Sequence, residues 1–191
     1  MGVITGILMH AFGRPHGLLG RLGGLIMART NKPCAAWVVM LLDIQPQDQV
    51  LEVGFGSGVA VELMTRLTPT GFVADIDASK EMVRQATARN AKAIESGRVE
   101  LQHGSVENLP FADNSFDKAL AINSMQVWSD AMVGLREMRC VLKAGGKIAL
   151  GFTPYSGQSK DGMSDVLKTV GFANTSVVES ERGFCVLGLK P

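Results

Sequence analysis

From residue 48 onward the chain alternates short β-rich runs with helical runs five times, and this alternation restricts the fold more than any other feature. "QVLEVGF" leads into a helix over about 58–67 that stops at Pro69 and Gly71. "FVADID" leads into "SKEMVRQATARNAKAIESG", a helix with Ser79 as N-cap and Gly97 just past its end. "VELQHG" reads as a third strand. "FDKALAINSM" reads as a fourth, followed by a helix over about 129–142 that "KAGG" closes. "KIALGFT" is the fifth, and the helix after it, in "DGMSDVLKTVGF", takes Asp161 or Ser164 as its cap. The tail "ANTSVVESERGFCVLGLKP" predicts two strands joined tightly around "ERG". Repeated strand–helix–strand units cross over right-handed and build a parallel sheet covered on both faces. The terminal hairpin adds one antiparallel strand. The expectation is a three-layer α/β domain over residues 46–191 behind a helical N-terminal extension over 1–45.

The extension differs in character. It carries Arg14, Arg21, Arg29 and Lys32 against the single acid Asp43. Leu18, Leu19, Leu22, Leu25 and Ile26 recur at helical spacing, and "NKPCAAWVVMLLDI" reads as a further helix with Pro33 near its first turn. Gly20 and Gly24 stand four apart, a spacing that permits close helix approach. Each glycine also costs a helix about 1 kcal/mol against alanine. A lid that orders over a bound cofactor fits both facts. An amphipathic segment lying on lipid, basic residues toward the head groups, is the other reading, and gives peripheral membrane contact through residues 1–30. The first fifteen residues lack a positive n-region and a cleavage site, and Gly6 stands where a myristoylation motif needs Ser or Thr. No run of 18 uncharged apolar residues occurs, so no membrane span is expected.

A hydrophobic fraction of 46% over 191 residues allows one good-sized core. The net charge of +1 supplies no attraction to nucleic acid. Cys34, Cys140 and Cys185 are odd in number and contain no C-x-x-C, which argues against a disulfide framework and against a metal site. A reducing, cytoplasmic setting is the simplest.

The chemistry starts at "LEVGFGSG". Ligands of open α/β sheets bind beyond the carboxyl ends of the strands, where this first β–α loop lies. Glycine tolerates positive φ and lets a ligand approach the backbone. A P-loop needs G-x-x-x-x-G-K-[ST], and no Lys-Ser/Thr pair follows. A dinucleotide fingerprint needs a third Gly or Ala, and that position falls on Val59 or Val61 depending on the starting glycine. The pattern is G-x-G-x-G over Gly54, Gly56 and Gly58, with Glu52 two residues ahead. A carboxylate there repels a diphosphate and suits a cationic ligand. Asp77 ends the second strand, where a carboxylate can accept both ribose hydroxyls of an adenosine cofactor or can cap the next helix.

"VLEVGFGSG", "VADIDASKEM", "GSVENLPFADNSFDKAL" and "LREMRCVLKAGGKIAL" together resemble the motif series of class I S-adenosylmethionine-dependent methyltransferases. The likeness is to the ubiquinone/menaquinone-type, small-molecule branch, covers about residues 48–153, and makes the terminal hairpin part of a seven-stranded, Rossmann-like, mostly parallel sheet. It implies S-adenosylmethionine as cofactor and S-adenosylhomocysteine as product. Glu52, Gly54, Phe55, Gly56, Ser57 and Gly58 would line its methionine part. Asp77 would hold the ribose, with Ile76, Ala78 and Met82 near the adenine. Ser105 stands where the family often has Asp; its hydroxyl could meet the adenine amino group and the Val106 N–H the ring. Asn123 occupies the position whose backbone usually meets the methionine amino group.

On the acceptor side, the resemblance implies that Met125, Gln126 and Trp128 face the exit side of the methyl group. The plainer reading has Val127 and Trp128 beginning a helix packed on the sheet. Tyr155, the single tyrosine, could line the same pocket. His10 and His16 could be a base or acceptor contacts or ordinary surface histidines, and His103 reads as structural. About 20 residues separate the fifth and sixth strands, so the cover over the site has to come from residues 1–45 or from a second subunit. Oligomeric state, monomer or homodimer, stays open. The expected activity is methyl transfer to O, N or C of a small molecule. A lipid or quinone head-group acceptor at a membrane surface and a non-catalytic cofactor-binding subunit are the alternatives. Nucleic acid is disfavoured, because "NSMQ" stands where such enzymes carry an N/D-P-P-Y-type tetrad.

Overall fold

The computed structural model describes residues 31–191. In chain order they form α1 (31–42), β1 (Gln49–Val53), α2 (Val59–Leu67), β2 (Phe72–Asp77), α3 (Lys80–Glu95) and β3 (Val99–His103). Then follow β4 (Phe116–Ile122), a 3-10 turn (Met125–Val127), α4 (Ala131–Val141), β5 (Leu142–Phe152), α5 (Met163–Thr169), β6 (Ala173–Ser180) and β7 (Gly183–Leu189). The strands make one sheet in the order β3-β2-β1-β4-β5-β7-β6. β1 to β5 pair in parallel, and β7 runs antiparallel to both β5 and β6. The expected seven-stranded Rossmann-like sheet is therefore present.

Each face of the sheet has its own core. Leu51, Val53, Ala74 and Ile76 point to the face covered by α4 and α5, which contribute Leu135, Met138 and Leu167. Val50 and Val73 point to the other face, with Ala60, Val61 and Met64 of α2 and Ala86 of α3. Strands buried on both sides read as continuous apolar runs, which is why "VLEV" and "ALAI" carry so few polar side chains. The helix α1 belongs to this second core through Cys34, Trp37, Val38 and Leu42. Its Val38 lies so close to Gly151 that a Cβ there would come within 2.4 Å of Val38 Cγ2. The rest of the N-terminal extension, including its glycines, His10 and His16, lies outside the described residues.

Three local expectations need correcting. α5 is capped by neither Asp161 nor Ser164: Gly162, at φ 75°, is its N-cap residue. The Ser164 hydroxyl is paired with that of Thr175 at 2.6 Å, and an Asp161 carboxylate oxygen accepts from the Ser159 hydroxyl at 3.2 Å. "KAGG" does not close α4. The chain passes from Val141 directly into β5, and Gly145 and Gly146 exchange backbone hydrogen bonds with Lys190 at 2.7 and 2.9 Å. Finally, Val127 and Trp128 do not begin α4; they lie in and just after the 3-10 turn, and Asp130 caps the helix by accepting from the Met132 and Val133 N–H groups.

Candidate active site

The functional loop is held from both sides. Gly54, Gly56 and Gly58 all have positive φ (79°, 53° and 76°). The Gly54 N–H donates to the Ile76 carbonyl at 2.8 Å, and Gly58 N–H closes a turn on Phe55 at 3.0 Å. From α3, Arg89 donates to the Ser57 carbonyl at 2.8 Å, and the buried Asn90 amide donates to those of Gly58 and Ala86 at 3.2 and 3.0 Å. A Cβ on Gly58 would meet Ala86 Cβ at 2.8 Å, so this glycine serves helix packing. A Cβ on Gly56 would meet nothing within 4 Å among the described residues. Gly56 fronts open space.

That space is a cleft of ≈ 590 Å³, open to solvent, at the carboxyl ends of β1 and β4. The structure brings together around it Glu52, Gly54, Phe55, Gly56, Ser57, Met82 and Asn123 of the residues expected from sequence. Asn31 and Ala35 of α1, with Val59, Ala60 and Ile122, complete the lining. Asn123 has φ 49°, and its side chain binds the Thr153 N–H and hydroxyl at 2.9 and 3.1 Å. This joins the ends of β4 and β5. Ser124 Oγ donates to the Val53 carbonyl at 2.8 Å, which fixes the turn after β4 against β1.

Three carboxyl groups share one face here. Glu52 and Asp75 are partners in the β1–β2 register, and Asp77 follows two residues on. Asp77 Oδ2 accepts from Gly56 N–H at 3.0 Å and Oδ1 from Ser79 N–H at 2.8 Å. Ser79 remains the N-cap of α3, accepting from Met82 N–H at 3.4 Å. Burial raises the Asp77 pKa, partly offset by those two hydrogen bonds and by the nearby His103. Burial also raises Glu52 to about 7, against a hydrogen bond from Asp75, and lifts Asp75 well above the ordinary carboxylate range. Glu52 is 2% exposed, and its Oε2 has no hydrogen-bond partner among the described residues. A buried unpaired carboxylate is costly unless a cation or donor joins it.

The other expected residues, Gly58 and Asp77 among them, do not line this cleft. Ile76 is buried in the core on the α4 side, and Val106 packs with it there. Ala78 offers its carbonyl to the His103 ring at 3.1 Å, so that histidine pins the β2 loop. Ser105 is exposed and hydrogen-bonded to Glu107. Met125 is buried in the core, and Trp128 packs partly buried beside it and against Gly134. Gln126 has a buried Oε1 with no partner among the described residues. Tyr155 is 93% exposed.

Several participants escaped the sequence reading. Asp75 was legible as an acid in i,i+2 alternation with Asp77, hence on the same face. Arg89, Asn90, Ser124 and Glu107 carry no local pattern that announces a distant backbone partner.

Two features of the cleft fit a cationic adenosine cofactor such as S-adenosylmethionine: an orphaned buried carboxyl in the lining, and a glycine whose missing side chain leaves room. Residues 51–150 match the methyltransferase-domain family, and with this topology the chain belongs to the class I S-adenosylmethionine-dependent methyltransferases. It is 31% identical over 149 residues to YrhH of Bacillus subtilis (strain 168), a methyltransferase by name, covering 78% of this chain and 82% of that one. It is 33% identical over 115 residues to the ubiquinone/menaquinone biosynthesis C-methyltransferase UbiE of Geotalea daltonii, covering 60% of this chain and 49% of UbiE. Among solved structures, a SAM-dependent methyltransferase from Aquifex aeolicus superposes with a TM-score of 0.73 at 22% identity, over 82% of this chain and 89% of that one. The [4+2]-cyclase SpnF shares the fold at a TM-score of 0.71 and 18% identity, over 84% of this chain and 81% of SpnF. Fold alone therefore does not select methyl transfer; the family match does.

Proposed function

We propose that this methyltransferase acts on a small-molecule acceptor and binds its cofactor in the cleft fronted by Gly56. The observation that carries the reading is Glu52, buried in the cleft lining with an unpartnered oxygen. Glu52 would face the cationic amino-acid portion of the cofactor, Gly54 to Ser57 would pack along it, and Asp77 would take the ribose hydroxyls with its remaining lone pairs. Met82 would sit by the adenine, and Asn123 would offer backbone to the amino-acid end.

The cofactor supplies a methyl group on a sulfonium, already activated for displacement. The chain's own task is then to align the acceptor and exclude water, which can supply on the order of 7–11 kcal/mol. On the acceptor side we assign Gln126, whose buried Oε1 lacks a donor, to an acceptor N–H or O–H. A general base helps a phenol or carbon acid and is dispensable for a neutral amine. S-adenosylhomocysteine should raise the melting temperature and NAD should not; the reverse result removes the cleft assignment. A labelled-methyl assay on fractionated extract, with the product identified by mass, would name the acceptor.

A quinone-type or lipid head-group acceptor is the second reading. It is favoured by the likeness to UbiE and to a Bacillus cereus demethylmenaquinone methyltransferase, 30% identical over 128 residues, covering 66% of this chain and 54% of that one. No helix among the described residues is long and apolar enough to cross a membrane. Such an acceptor would be met at a surface, and co-sedimentation with vesicles separates the two readings.

A further inference from the structure

Glu52 and Asp75 sit side by side on adjacent strands, 2% and 0% exposed. As register partners they present neighbouring carboxyl groups to one face, and each acts on the ionisation of the other. Among the described residues both Asp75 oxygens and Glu52 Oε2 have no other donor beside them, and neither residue forms an ion pair. The charged groups acting on the pair are Asp77 and, beyond it, His103 on β3. The helices over this face bring no buried cation: α1 contributes the neutral thiol of Cys34, α2 Thr65 and α3 Asn90, their other buried residues are apolar, and the half-buried neutral amide of Asn31 lines the cleft beside Glu52.

Two ionised carboxylates buried side by side, with no cation beside them among the described residues, would repel and be poorly solvated. One proton held between them removes both penalties, because the protonated carboxyl becomes a donor to the other. The positions decide which keeps it. Asp75 lies between two acids and away from the cleft, whereas Glu52 lines the cleft.

We propose that Asp75 is a positioning residue for Glu52: it stays protonated, donates its O–H to the Glu52 carboxylate, and fixes a single negative charge at the cleft. The proton does not leave Asp75 during turnover, and no bond to the cofactor is made by it. Asp75 would thus set the orientation and the ionisation of the group that meets a cationic ligand. The proposal rests on the reading of Glu52 given above.

The test is calorimetric titration of the full chain with S-adenosylhomocysteine, from about pH 6 to about pH 9 so as to span the Glu52 ionisation. Asp75→Asn keeps a donor to Glu52 and should bind within about threefold of the parent. Asp75→Leu removes the donor, so Glu52 holds its proton to higher pH. Its affinity should fall by about tenfold or more near pH 6 and recover toward pH 9. A purely structural defect would be flat with pH and would not be rescued by Asn. Wild-type affinity for Asp75→Leu at pH 6, or a pH-independent loss that Asn shares, overturns the proposal. If Glu52→Gln binds like the parent, the reading of Glu52 falls and this one with it. If Glu52→Gln weakens binding while Asp75→Leu does not, only the role of Asp75 falls. Should the Leu variant not fold, infrared spectroscopy decides. The parent at about pH 9, above the Glu52 ionisation, should show a buried protonated-carboxyl C=O band that Asp75→Asn removes; a spectrum without it overturns the proposal.

Discussion

The backbone N–H of Gly56 donates to Asp77 Oδ2 at 3.0 Å while Ser79 N–H donates to the other oxygen of the same carboxylate at 2.8 Å. One side chain thereby fastens the glycine loop to the start of α3, and its remaining lone pairs would take the ribose hydroxyls in the proposed binding mode. Replacing Asp77 by Ala removes both anchors together with the proposed ribose acceptor. A hydrogen bond to a charged group contributes roughly 1.5–3 kcal/mol, so affinity for S-adenosylhomocysteine should drop by about tenfold or more. Calorimetry measures it, and an unchanged affinity would take Asp77 out of the site.

The glycines of the loop should separate into two kinds. A Cβ on Gly54 would lie 2.3 Å from Ser124 Cβ, and Ser124 cannot retreat without breaking its bond to the Val53 carbonyl. With φ at 79° as well, Gly54→Ala should lose about 3 kcal/mol of stability through overlap and backbone strain. Gly56→Ala carries a strained φ of 53° but touches nothing. It should lose only about 1 kcal/mol, yet its methyl group enters the cleft and should weaken cofactor binding at least as much as Asp77→Ala does. Denaturant melts and ligand titrations of the two variants distinguish these outcomes, and a Gly56→Ala protein that binds normally would place the cofactor elsewhere.

Glu52 gives a pH dependence with a definite sign. Its folded pKa, about 7, stands above the ordinary 4.5 because burial outweighs the Asp75 hydrogen bond. Between those values the folded chain holds more protons than the unfolded one, so the Glu52 contribution to stability declines as pH rises from about 4.5 to about 7. The decline is on the order of 1–3 kcal/mol. Glu52→Gln should remove it, gaining on the parent across that window in denaturant melts. Cofactor affinity should move oppositely, rising through the same window as the carboxylate forms and levelling above it. An affinity flat from pH 5 to pH 8, on either side of that ionisation, would show that no cationic group meets Glu52.

How legible was this site? The succession of strands and helices and the position of the glycine loop follow from alternating apolar runs and from "GFGSG", both local signals. Glu52 and Asp77 could be placed by spacing alone. What could not be read is pairing between distant segments: Asn90 reaching back to Gly58, Ser124 to Val53, and the register that sets Glu52 beside Asp75. The helix ends failed for a related reason. "KAGG" has the composition of a helix stop, but Gly145 and Gly146 are claimed by Lys190 at the far end of the chain. Ile76 and Val106 are apolar residues in motif positions, and only packing shows that both fill the core on the α4 side.

Glu107 extends the same lesson to the turn after β3. It accepts from the Ser129 and Asp130 N–H groups at 2.8 and 3.1 Å and is bonded to the Ser105 hydroxyl, tying that turn to the start of α4. Partial burial opposes its ionisation, but these donors prevail and hold its pKa below the ordinary carboxylate value. A depressed carboxylate stabilises above its unfolded pKa, and the contribution is lost as pH falls through the folded value. Glu107→Ala should cost about 1 kcal/mol near neutral pH, discounted for solvent exposure, and that difference from the parent should vanish in acid. Hydrogen exchange should quicken at Ser129 and Asp130, which lose their acceptor, while Gly56, held by Asp77, stays protected. Equal melting curves for parent and variant at neutral pH would show that the turn is held by the packing of Val106 against Gly134 alone.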